Sequence, residues 1–134
     1  MRVDIGPLKG KEGFISVTPH GSIDSDTYTE FQEKIKPALV PSTKNILVDL
    51  GHVEYISSAG LGVLFGIKKS LAGTGGELYF CNLKPQIKRL FEIVKALPKE
   101  TLFTSYEEAD RYFYKVMNDE IERRKGSSPD DGNA

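Results

Sequence analysis

Two short β-type runs open the chain, residues 2–8 and 14–19, and the second sets apolar against polar positions in the period of two that marks a half-buried strand. Gly10 and Gly13 lie in the polar stretch between them, which predicts the turn of a hairpin. After Gly21-Ser22-Ile23-Asp24 the period changes. Tyr28, Phe31, Ile35 and Leu39 recur at three- and four-residue spacing and predict a helix, N-capped by Asp24 or Ser25 and kinked or ended by Pro37 and Pro41. Residues 46–50 are apolar except for Asp49 and read as a strand buried on both faces. From Ser58 onward, Val63, Leu64, Ile67 and Leu71 form a helical stripe that stops at Gly73-Thr74-Gly75-Gly76. A strand over 77–82 follows.

Pro85 suits the first position of a third helix, whose buried face would be Ile87, Leu90, Phe91, Val94 and Leu97. Residues 101–104 predict a short strand. Ser105 and Glu108 have the spacing of a capping box, and Ala109, Phe113 and Val116 continue on one face of a last helix that frays beyond Ile121. Strands alternating with helices imply crossover connections and parallel pairing, to which the hairpin adds an antiparallel edge. The fold class expected is α/β: a single-domain mixed β-sheet, with an N-terminal hairpin plus parallel strands, and about four helices. The domain spans residues 1–120; residues 121–134 are the frayed helix end and a polar tail.

Composition narrows the function classes. With 134 residues the chain can bury enough apolar surface to fold without disulfides or metal, and its single Cys81 excludes an internal disulfide and favours a cytoplasmic setting. A net charge of −1 offers no basic excess, so neither nucleic acid nor an anionic membrane surface is an expected partner. No apolar run approaches the ~20 residues of a membrane helix, and the first residues lack a signal-type core. His20, His52 and Cys81 have no recognised metal-ligand spacing, and no cofactor is expected.

The chemistry on offer sits at Ser57 and Ser58, between the central strand and its helix. A nucleophile elbow would need Gly-x-Ser-x-Gly and a later His, but Ile56 stands two before Ser58 and both histidines lie upstream. Gly73-Thr74-Gly75-Gly76 lacks the ending of a phosphate loop and precedes a strand, so it reads as a turn. Ser57 reads as a helix cap. Gly60 and Gly62 each disfavour a helix by up to ~1 kcal/mol against Ala, which points to a first turn kept open to something that approaches closely. Leu61 and Phe65 lie on a strip beside the main stripe, either buried under a neighbour or offered to a partner.

Gly21-Ser22-Ile23-Asp24, Ile46-Leu47-Val48-Asp49-Leu50 and the run Val53 to Leu64 around Ser57-Ser58-Ala59-Gly60 resemble the STAS domain family, anti-sigma-factor antagonist type, over about residues 3–117. That resemblance implies a non-enzymatic binding module in partner switching. Its partners would be an anti-sigma factor that is also a serine kinase, bound when the chain is unmodified and released on phosphorylation, and a serine phosphatase that resets it. The implied phosphorylation site is Ser58, with Ser57 as second choice. The implied partner-binding residues are Asp24, Ser57, Ala59, Gly60, Leu61 and Phe65. Many family members carry Asp-Ser-Ser-Gly or Asp-Ser-Thr-Gly where this chain has Ser57-Ser58-Ala59-Gly60, so a negative charge beside the acceptor is missing from the motif. Two other expectations stand beside this one: a STAS subunit regulating a phosphatase, signalling complex or transport system, and a small anion or nucleotide binder cradled by the N–H groups of residues 57–60.

Overall fold

The structure is a computed structural model of the chain and describes residues 1–96 and 105–126. Strands β1 (Arg2–Pro7) and β2 (Phe14–His20) form the antiparallel hairpin, in register from Arg2 opposite His20 to Pro7 opposite Ile15. Its turn closes through Leu8 and Phe14, with Gly10 and Gly13 both at φ +77, a conformation that side-chain-bearing residues seldom adopt. Strand β3 (Asn45–Asp49) pairs parallel with β2, and β4 (Glu77–Cys81) parallel with β3, giving the order β1-β2-β3-β4. Helices α1 (Tyr28–Ile35), α2 (Ser58–Ala72), α3 (Pro85–Ala96) and α4 (Tyr106–Gly126) complete the mixed α/β architecture. The strand expected at 101–104, and Leu97, lie outside the described residues.

Register explains the core. Val17 stands opposite Val48 and Ile46 opposite Leu78, so these side chains share one face of the sheet. Phe31 and Ile35 of α1, Leu64, Ile67 and Leu71 of α2, Ile87 and Leu90 of α3, and Phe113 and Met117 of α4 join the same buried cluster. The apolar stripes read from the sequence therefore point inward. Strand β3 departs from the reading: Ile46 and Val48 are fully buried, whereas Asn45, Leu47 and Asp49 are half-buried. The opposite face carries Leu47 with Phe14 and Tyr79, whose rings stack 6.0 Å apart, and Tyr79 is exposed.

Local contacts set the helix ends. Helix α1 begins at Tyr28, capped neither by Asp24 nor by Ser25. Asp24 Oδ1 accepts from the N–H groups of Asp26 (2.9 Å) and Thr27 (3.1 Å), which builds a turn before the helix instead of capping it. Pro37 does end α1, in a short 3-10 turn over Lys36–Ala38, so Leu39 packs on the core from outside the helix. Helix α4 runs through Gly126, and near its C-terminal end Glu120 pairs with both Arg123 and Arg124.

Candidate functional site

Two loops at the C-terminal ends of parallel strands are stitched side by side. Gly21 N–H donates to His52 O (2.9 Å), Ile23 N–H to Tyr55 O (3.0 Å) and Ser57 N–H to Ile23 O (2.9 Å). This small parallel bridge brings the Asp24 loop against the entry to α2. The second loop is also tied to α3, because Glu54 pairs with Lys84 and accepts from Gln86 Nε2 at 3.1 Å. The outer side of the stitched loops is a cavity of about 300 Å³, lined among others by Asp24, Ser25, Tyr55, Ser57, Asp110 and Tyr114.

Helix α2 opens on the two serines, and they have different tasks. Ser57 is the N-cap: its Oγ accepts from Gly60 N–H at 3.2 Å, as expected from its position. Ser58 gives both its N–H (2.9 Å) and its hydroxyl (2.6 Å) to a single oxygen, Oδ1 of Asp110 in α4. The N–H of Ala59 has no partner among the described residues. An anion cradle built from residues 57–60 would find three of its four N–H groups already engaged and a carboxylate in place, which disfavours a free anion or nucleotide as ligand.

Sequence reasoning missed Asp110. The signal was present, since Asp110 shares the stripe of Phe113 and Met117 at helical spacing, and a carboxylate among buried positions asks for a partner. It supplies, from a distant helix, a negative charge beside Ser58 that the local motif lacks. Tyr114, one turn on, stacks against Tyr55 at 5.3 Å. Burial, helped by the neighbouring Tyr114 and Glu54, pushes the Tyr55 phenol above its usual range.

The other residues singled out in the motif divide. Gly60 is buried, and a Cβ there would lie 2.3 Å from Ile23 O, so what approaches this glycine closely is the chain's own loop. Gly62 has open space around it. Leu61 is only 3% exposed and belongs to the core, whereas Phe65 is 52% exposed. The two do not form one surface strip: Leu61 floors a groove of about 500 Å³ between α2 and α3, with Phe80 and Phe91, and Phe65 stands with Lys68 at its edge. His20 and His52 stack at 4.6 Å beside Asp4, apart from the serine cavity. Burial and the nearby Asp49 raise the Cys81 thiol above its usual range. Among the described residues no cluster is suited to hold a metal ion, and no helix is long and apolar enough to cross a membrane.

Comparison with known proteins matches this arrangement. The model of the STAS domain fits residues 7–109. An anti-sigma-B factor antagonist of Staphylococcus aureus (strain NCTC 8325 / PS 47) is 36% identical over 83 residues, which is 62% of this chain and 77% of that protein. The anti-sigma factor antagonist SpoIIAA in its unphosphorylated form matches with a TM-score of 0.57 at 17% identity, over 93% of this chain and 99% of that one. The phosphorylated form of the Bacillus cell fate determinant SpoIIAA gives 0.56 at 18% identity, over 83% and 99%. The two structures speak for the fold, and the family model covers both stitched loops, the serine pair and Asp24: the chain belongs to the STAS domain family.

Proposed function

We propose that this chain is an anti-sigma-factor antagonist: a binding module, not an enzyme, that engages an anti-sigma factor with serine kinase activity and lets it go once Ser58 is phosphorylated. A serine phosphatase completes the cycle, and the setting is cytoplasmic. The observation that carries this reading is the Ser58 hydroxyl, held at the N-terminus of α2 by Asp110, beside a cavity that Asp110 and Ser57 help to line and that has no histidine among its lining residues. The relative's name, anti-sigma-B factor antagonist, supports the output. A STAS subunit serving another output would use the same surface with a different partner.

Ser58 is preferred to Ser57 because the Ser57 oxygen is committed to Gly60 N–H, whereas the Ser58 hydroxyl donates to Asp110 and caps no helix N–H group. The surface a partner would read consists of Asp24, Ser57, Ala59 and Phe65; Gly60 and Leu61 act from beneath, by shaping the turn and the groove floor. Phosphoserine adds about −1.5 to −2 charges. A helix N-terminus favours such a charge by about 0.3–1 kcal/mol, so the fold tolerates it. A docked partner has to desolvate the dianion beside a cavity already lined by Asp24 and Asp110, and binding is lost.

The test is incubation with each anti-sigma-factor-type serine kinase of the source genome, one at a time, with ATP and intact-mass readout. A single phosphate on the wild type and on Ser57→Ala, and none on Ser58→Ala, is expected. Phosphate on Ser58→Ala sinks the assignment.

A further inference from the structure

We propose that Asp110 is the base to which Ser58 gives up its proton when it accepts phosphate, so that the acceptor chain carries part of its own transfer chemistry. The inference rests on Ser58 being the acceptor, as proposed above. A carboxylate can only accept from a hydroxyl, so the 2.6 Å contact directs the Ser58 proton at Asp110 Oδ1 and turns the oxygen's lone pairs elsewhere. The same Oδ1 is fixed by Ser58 N–H at 2.9 Å, which leaves the carboxylate no freedom to swing from the nucleophile. Any base brought by a kinase would first have to pull the hydroxyl out of this charge-assisted bond.

The step balances without a further reactant. Ser58 Oγ forms a bond to the terminal phosphorus of the nucleoside triphosphate held by the kinase, and the bond from that phosphorus to the nucleoside diphosphate oxygen breaks. The Oγ proton moves along the existing hydrogen bond to Asp110 Oδ1 and from there to water. Nothing is oxidised or reduced. The family motif places a carboxylate just before the acceptor, where this chain has Ser57; here the carboxylate arrives from α4, and it touches the reacting oxygen.

Steady-state phosphorylation of the full chain separates a base from a structural contact. Asp110→Asn keeps an oxygen that accepts from Ser58 but cannot take its proton; its kcat should fall about 100-fold with KM for the chain unchanged. Asp110→Glu should recover part of the rate, because a carboxylate returns. Wild-type kcat in Asp110→Asn, with the phosphate mapped to Ser58, overturns the inference and leaves the acceptor assignment standing. A loss expressed in KM alone, equal in both variants, also overturns it, as the mark of a structural contact. Phosphate persisting on Ser58→Ala, or no phosphate on the wild type from any kinase, removes the acceptor assignment and this inference with it.

Discussion

At the scale of single residues, the two glycines of the first turn of α2 make opposite predictions. A methyl at position 60 would sit 2.3 Å from the Ile23 carbonyl oxygen, which is backbone and is itself held by Ser57 N–H. Gly60→Ala should therefore destabilise the protein by about 1–3 kcal/mol or more, the usual range for overpacking. At position 62 a methyl meets nothing within 4 Å, so Gly62→Ala should stabilise by up to about 1 kcal/mol through helix propensity. Urea denaturation of the two variants checks both signs, and equal effects would mean that the close approach of α2 to the Ile23 loop is misplaced. Ser57→Ala removes a cap and should lower stability by about 0.5–2 kcal/mol without abolishing phosphorylation.

Among the elements, α4 is the least legible and the most consequential. Glu120 is almost fully buried, and the hydrogen bond from Arg123 first, then that from Arg124, holds its carboxyl below the ordinary glutamate range against the opposing effect of burial. A folded-state value below the unfolded one contributes stability that is complete above the usual value of about 4.3 and is lost as pH falls through the lower, folded value. Glu120→Gln should accordingly be less stable than wild type at neutral pH, and the difference should close on acidification; denaturant midpoints measured along that pH series decide it. Local periodicity was enough to read the hairpin, the four helices and the Ser57 cap. It was insufficient where turn chemistry, the layering of the sheet or a distant contact set the outcome. Asp24 resembles a cap but spends its carboxylate on Asp26 and Thr27. Leu47 looks core-like, yet no helix described covers its face of β3. Asp110 and Ser58 are 52 residues apart, and only packing of α4 across α2 joins them.

For the whole molecule, phosphorylation is a change of charge on a nearly neutral body, from −1 to about −2.5 to −3. The added charge lies at a half-buried rim, away from the face of the sheet where Val17, Ile46 and Val48 are fully buried. It also abuts Asp110: two unit charges 4 Å apart near a surface repel by about 4 kcal/mol. That is enough to turn the Asp110 side chain outward, but it falls on one of several contacts between α4 and α2, while α4 remains packed on α3. The chain carrying phosphoserine at 58, made by nonsense suppression, should therefore keep its far-UV circular dichroism and cooperative melting. Its first α4 turns should exchange amide hydrogens faster than in the unmodified chain, and the kinase partner should bind it at least tenfold more weakly. Higher salt should recover only part of that affinity, because screening weakens the Coulomb repulsion and leaves the desolvation of the dianion untouched. Full recovery in salt would assign the switch to long-range charge alone. A wholesale change in circular dichroism would assign it to refolding, contrary to a preformed surface switched by one phosphate.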